Sequence, residues 1–212
     1  MNLKHALLMV YLTVLIGMLV PLAVSAEISV CVKEGDWIEY QVTFTGDVPE
    51  DHAVEGARLE IIDVEGKTID VNLISIYPNG TEKSLPVTLN LETGQIGDAF
   101  IIPANLNSGD TFLEQYEGTI TVSRVEEKVC AGANRMVVYA TTSHTMYYWD
   151  RSTGVLVEAT SSYTGFTLTT KAEKTNMWQP QIFGIDPMVF IVLIIVAVVA
   201  VLAIFLLLKM KE

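Results

Sequence analysis

Side chains able to do chemistry are few in this 212-residue chain, and their spacing is unhelpful to an enzyme. His52 sits in Glu50-Asp51-His52 with Glu55 nearby, an oxygen-rich stretch of the kind that attracts divalent cations. It lacks the alternating ligands and central glycine of a calcium loop, and no second His or Cys completes a zinc set. A solvated acidic loop is the expected state there, with no metal. His144 opens the aromatic run His144-Thr145-Met146-Tyr147-Tyr148-Trp149. No Ser or Cys stands beside it in a nucleophile elbow. His5 falls in an apolar N-terminal segment. Neither a phosphate-binding loop nor a dinucleotide fingerprint occurs. Carboxylates abound, so none can be singled out as an acid–base pair. The expectation is a non-catalytic protein without a cofactor.

Binding chemistry is better represented. Trp37, Tyr40, Tyr147 and Trp149, with Tyr148, are the residues an apolar ligand groove would use. Strand aromatics more often pack a β core, and that is the expected role of most of them. Cys31 and Cys130 are the two cysteines. In an exported chain an even pair is expected to form one disulfide. It would close a loop of about a hundred residues, a constraint on the order of 4–5 kcal/mol in chain-entropy terms. Asn79-Gly80-Thr81 is the one N-x-[ST] sequon, at a turn where a glycan would be tolerated.

The two ends address the chain to a membrane. Residues 1–26 read as a signal peptide: Lys4 and His5, an apolar run to Val20, a break at Pro21, then Val24-Ser25-Ala26 with small residues at the cleavage positions. Cys31 is no lipid-anchor cysteine, because Ile28-Ser29-Val30 before it lacks the small residue required. Residues 188–208 contain no charge or strongly polar side chain and would span roughly 30 Å as a helix, the thickness of a hydrocarbon core. Asp186-Pro187 suits a helix start. Lys209 and Lys211 follow, and positive residues stay in the cytoplasm. The expected layout is a β domain over 27–178 outside, a linker over 179–187, a transmembrane helix over 188–208 and a cytoplasmic tail over 209–212.

Between the ends, residues 27–186 hold 10 Lys and Arg against 24 Asp and Glu, a formal net charge of −14. Such a surface repels nucleic acid and anionic headgroups alike. Alternation of apolar and polar residues marks strands at 37–45, 58–64, 67–77, 85–91, 119–129, 134–143, 145–149, 155–163 and 166–174. Glu65-Gly66 and Asn79-Gly80 are hairpin turns between them. Residues 92–110 break the pattern and read as a loop with one short strand. No 3.6-residue period lasts three turns before residue 181. The expected fold is mainly β: an antiparallel meander curled into a half-barrel, barrel or sandwich.

Four stretches carry a resemblance. Gly35-Asp36-Trp37-Ile38-Glu39-Tyr40, Ile101-Ile102-Pro103-Ala104-Asn105-Leu106 with Gly109-Asp110, Tyr148-Trp149-Asp150-Arg151-Ser152-Thr153-Gly154 and Thr175-Asn176-Met177-Trp178 resemble uncharacterised archaeal surface proteins with one C-terminal membrane helix. That resemblance implies a surface protein and supplies no activity. The Trp-Asp-x-x-Thr-Gly turn also looks like the curled sheet of bacterial lipoprotein carriers of the LolA/LppX kind. Those carriers hold helices against the concave face, and no such helix is evident here. The expected role is a membrane-tethered binding or envelope-structural module, with envelope proteins as partners. The alternative is a carrier or receptor for an apolar small molecule or lipid inside a curled sheet.

Overall fold

The structure is a computed structural model and describes residues 28–49, 53–182 and 184–209, with side chains up to Leu202. The expected signal peptide, His52 with its acidic neighbours Glu50 and Asp51, and Lys211 lie outside the described residues. Eleven strands and one helix are present among those residues: β1 Trp37–Gly46, β2 Gly56–Glu65, β3 Thr68–Ile76, β4 Glu82–Asn90, β5 Thr111–Glu114, β6 Gly118–Thr121, β7 Arg124–Cys130, β8 Ala133–Thr141, β9 Thr145–Asp150, β10 Leu156–Tyr163, β11 Phe166–Thr175 and α1 Pro187–Lys209.

Alternation decides which face each strand buries. In β1, Ile38, Tyr40 and Val42 are buried while Gln41 and Thr43 face water. In β2, Ala57, Leu59 and Ile61 are buried, and in β3 Ile69 and Val71. Nine strands pair antiparallel in the order β4-β3-β2-β1-β11-β10-β9-β8-β7. The first and last strands of the meander meet, Tyr40 opposite Ala172 and Phe44 opposite Leu168. β4 and β7 are the two edges, so the sheet is open and not a closed barrel. Pro86 in β4 and Arg124, Glu126, Glu127 and Lys128 in β7 discourage edge-to-edge pairing with another chain.

The sheet nevertheless curls, and residues 91–123 are what it curls around. The turn from Gly97 to Phe100 reaches four strands at once. A methyl on Gly97 would stand 3.1 Å from Leu89 Cδ2 in β4. The Phe100 ring lies 6.0 Å from that of Tyr40 in β1. The Phe100 carbonyl accepts from Leu156 N in β10 at 2.9 Å, and the Ala99 carbonyl accepts from Trp149 Nε1 in β9 at 2.6 Å. β4 and β9 would be about 29 Å apart in a flat sheet, from a strand spacing near 4.8 Å, whereas this turn spans roughly 10 Å at most. Only a strongly bent sheet brings both to it. Ile96, Ile101, Ile102, Leu106, Phe112, Ile120 and Val122 of the same segment complete the core.

The segment is fastened at the Asp150–Gly154 turn. Asp150 is fully buried and accepts from Arg135 Nε (2.7 Å) and Nη2 (3.1 Å), and also from Ser152 and from the backbone and side chain of Thr153. Arg151 reaches across to donate to the Leu106 carbonyl and to Asn107 Oδ1. Gly154 O accepts from Ile102 N, and a Cβ on Gly154 would meet Ile102 O at 2.1 Å, so no larger residue fits. At the same end of the sheet Asn176 bonds Trp37 N and Gly35 O, while Trp178 Nε1 donates to the Cys130 carbonyl.

Three expectations are corrected. Residues 119–129 are not one strand: β6 pairs with β5 in a separate two-stranded sheet, and β7 joins the large sheet after a break at Val122–Ser123. The alternation Ile120, Val122 runs straight through that break, which is why periodicity does not reveal it. Residues 92–110 hold no regular strand, only isolated bridges such as Ile101 with Val155. The Cys31–Cys130 bridge is not made. Cys31 is exposed, its Sγ beside Ser29 Oγ (3.3 Å) and Asn105 Nδ2 (3.7 Å), whereas Cys130 is buried at the end of β7 with its Sγ toward the Lys128 carbonyl.

The segment after β11 is less free than a linker. Gln181 N donates to Gly132 O and Gln181 Oε1 accepts from Asn134 N, so the chain is pinned to the β7–β8 turn before it leaves. Asp186 then caps α1, its Oδ1 accepting from Met188 N at 2.8 Å. Over its described side chains, to Leu202, no helix is long and apolar enough to cross a membrane. The helical backbone itself continues to Lys209.

Candidate functional site

The segment 91–123 covers only half of the concave face. Toward the other end of the strands Leu73, Leu85 and Val87 on one side, and Tyr147, Ala159, Leu168 and Thr170 on the other, line two cavities that meet at Asp98 and Phe100. The cavity against β9, β10 and β11 has a volume of about 380 Å³ and is lined also by Thr145, Leu156, Ser161 and Tyr163. The cavity against β2, β3 and β4, about 110 Å³, is walled by Leu59, Val71, Leu73, Leu85, Val87 and Leu89. At the rim Leu85 (53%) and Tyr163 (52%) are well exposed for apolar side chains. Tyr163 stacks on Phe166 across the β10–β11 turn, centroids 4.8 Å apart.

Between the cavities the backbone is strained. Gly97, Asp98 and Ala99 have φ of 44°, 48° and 57°, three left-handed residues in succession. For each of the two that carry a Cβ this costs roughly 1–2 kcal/mol. The Trp149 indole holds the turn through the Ala99 carbonyl. Strain of this kind persists where surrounding packing over-determines it, and it gathers at ligand sites. Asp98, exposed on this turn, lines both cavities, and among the described residues no cation pairs with it. Tyr147 feels that charge: its phenol is pushed above the usual value, first by burial and then by Asp98, Glu117 and Tyr163, against a lowering contribution from Thr145.

Of the four aromatics expected to face a ligand, one lines this groove. Tyr147 does, stacked on Trp149 at 4.9 Å. Trp149 is fully buried behind it, edge-on to Phe112, and serves the core. Tyr40 is buried, its hydroxyl donating to the Leu156 carbonyl at 3.0 Å, and burial raises its phenol far above the ordinary range. Trp37 alternates to the convex face, where Arg58 covers its ring at 4.7 Å. Tyr148 is convex too, with Lys128 3.9 Å above its ring. The sequence reading missed Asp98, Phe100, Leu73 and Leu168. For Leu73 and Leu168 the one signal was strand alternation extending past the residues a core needs, whereas Asp98 and Phe100 sit in irregular backbone that carries no period.

The remaining candidates sit elsewhere. Asn79 is exposed at the β3–β4 turn, its Oδ1 accepting from Thr81 N and Oγ1. His144 is exposed before β9. Among the described residues no group of three His, Cys, Asp or Glu is placed to hold a metal ion. A cleft of about 440 Å³ opens where β1 and β2 part and contains Glu39, Glu55 and Glu173, but Arg58 and Lys174 already neutralise Glu39.

The fold and the groove define an open, curled antiparallel sheet with a half-covered concave face. No protein-family model matches the chain, and no curated protein matches it. Among solved structures it is similar to the siderocalin Ex-FABP, described as functioning through dual ligand specificities, at 14% identity and a TM-score of 0.25 over 66% of this chain and 70% of that one. A likeness at that TM-score bears on neither ligand nor mechanism, so the groove is weighed on its own chemistry.

Proposed function

We propose that this chain is a membrane-tethered, non-catalytic surface module that holds a small apolar or amphipathic molecule on the open half of its curled sheet. One observation carries the reading: the same segment that seals half of the concave face stops short of the rest. Apolar cavities are thereby left beside a strained turn. A fold selected only for stability would fill that space, because uncovered apolar surface forfeits burial at about 25 cal/mol per Å². The tether rests on the sequence, where residues 188–208 are uncharged and Lys209 and Lys211 follow. The absence of an enzymatic role rests on the lack of any recognisable catalytic motif.

The test uses the full-length chain in lipid nanodiscs and a neutral dodecyl glucoside whose alkyl end carries a photoactivatable diazirine. After irradiation, adducts mapped by mass spectrometry should fall on residues 97–100 and 145–170 and disappear with excess unlabelled glucoside. Adducts confined to the C-terminal apolar segment would mean that the probe only partitions into lipid, and the groove reading would be abandoned.

A further inference from the structure

Resting on the groove reading above, we infer that the occupant is an amphiphile with a cationic head, seated against Asp98 and the aromatic rings of the larger cavity, with its alkyl part in the smaller one. Four observations on the same few residues carry this. Phe100, Tyr147 and Tyr163 place three aromatic rings around one space of about 380 Å³. Asp98 lines that space, and among the described residues no cation pairs with it. Neither cavity has a Lys or Arg in its lining, so nothing there would favour a carboxylate or phosphate head. Beyond Asp98 and Phe100, the wall of Leu59, Val71, Leu73, Leu85, Val87 and Leu89 is wholly aliphatic.

A ring face is electron-rich and attracts a quaternary or protonated amine, more strongly as water is excluded. A carboxylate on the same side adds Coulomb attraction in a partly desolvated site. An anionic head meets the opposite conditions: Asp98, with Glu117 near Tyr147, repels it. Lys83 is the nearest qualification. It shares the register face of Leu85 and Val87 but stands at the outer end of β4, opposite Ser75, at the rim and outside both linings. His144 is exposed at the turn before Thr145 and lies outside both linings. The left-handed backbone at Asp98 also has a use here, because it brings a charged residue onto an apolar face where a regular strand would not.

The experiment compares three photoactivatable dodecyl probes, with trimethylammonium, glucoside and carboxylate heads, on the full-length chain in nanodiscs of zwitterionic lipid. The ammonium probe should label the groove at a concentration about fivefold lower than the glucoside, and the carboxylate probe least of all. The variant Asp98→Asn removes the charge with a residue that accepts a left-handed backbone. It should abolish the ammonium preference while glucoside adducts still fall on residues 145–170, which also shows that the groove is still formed. Equal labelling by the ammonium and carboxylate probes, or an unchanged ammonium preference in Asp98→Asn, would overturn the cationic head and leave the groove as a binding site. Failure of all three probes to label the groove would remove the binding site itself.

Discussion

Trp149 Nε1 donates to the Ala99 carbonyl at 2.6 Å, joining β9 to the strained turn that divides the groove. Both residues are essentially inaccessible to water. Trp149→Phe would keep most of the ring packing against Phe112 and Tyr147 and delete the donor. The stranded carbonyl costs about 1–3 kcal/mol, and lost volume adds to it. Thermal unfolding should therefore fall by roughly 4–10 °C. Amide exchange at Phe100 and Ile102 should accelerate more than elsewhere. A melting temperature equal to the parent's would show that the indole bond does not hold the turn.

Gly154 and Gly80 separate clash from backbone strain. Both have φ near 77° (78° and 76°). A methyl at Gly80 meets nothing within 4 Å, whereas at Gly154 it meets Ile102 O at 2.1 Å. Gly80→Ala should cost about 1 kcal/mol, the price of a left-handed alanine. Gly154→Ala should cost more than about 3 kcal/mol, because Ile102 must move and its bond to Gly154 with it. Denaturant titration of the two variants decides this, and similar midpoints would refute the fastening described for residues 99–107.

The strands were legible because apolar and polar residues alternate along them, and period two survives in a single sequence even at the edges β4 and β7, where only one residue of each is buried. The segment 91–123 was not. Its buried residues, Ile96, Ala99, Ile101, Ile102 and Leu106, follow no period because they plug a bent sheet from irregular backbone. The motifs that stood out in the sequence, Ile101–Leu106, Tyr148–Gly154 and Thr175–Trp178, proved to be fastenings for that plug and for the closed end of the sheet. Their spacing reports architecture. Of the groove, only Tyr147 was picked out beforehand. Leu73, Leu85, Val87 and Leu168 look like ordinary core residues in sequence, and only the place where the plug ends distinguishes them.

The two thiols should behave differently. Cys31 is exposed and Cys130 is buried, with its thiol pushed up to about 11, chiefly by burial. In native protein at pH 8 an alkylating reagent should modify Cys31 and spare Cys130, while denatured protein should take two labels. A raised thiol pKa means that the folded state favours the neutral form. Its contribution to stability is present below the unfolded thiol's pKa, near 8.5, and is lost as pH rises toward 11. Stability should accordingly decline across that alkaline window, and Cys130→Ala should flatten the decline. Two labels entering native protein at equal rates would contradict the burial of Cys130.

The last prediction joins the groove to the membrane. β11 runs from Phe166, beside the mouth of the larger cavity, to Thr175, beside Trp37 at the plugged end. The chain therefore leaves the sheet at the end away from the mouth, and Gln181 fastens it to the β7–β8 turn, close to the start of the apolar helix at Pro187. If residues 188–208 cross the bilayer with Lys209 and Lys211 inside, as proposed above, the plugged end would face the lipid and the mouth would face outward. In intact cells a tag placed after Glu212 should resist external protease while the β domain is digested. A membrane-impermeant maleimide should label a cysteine introduced at Tyr163 from outside. A digested tag would reverse the orientation. A protected tag with an unlabelled Tyr163→Cys would place the mouth against another surface, and the groove would then have to draw its ligand from there.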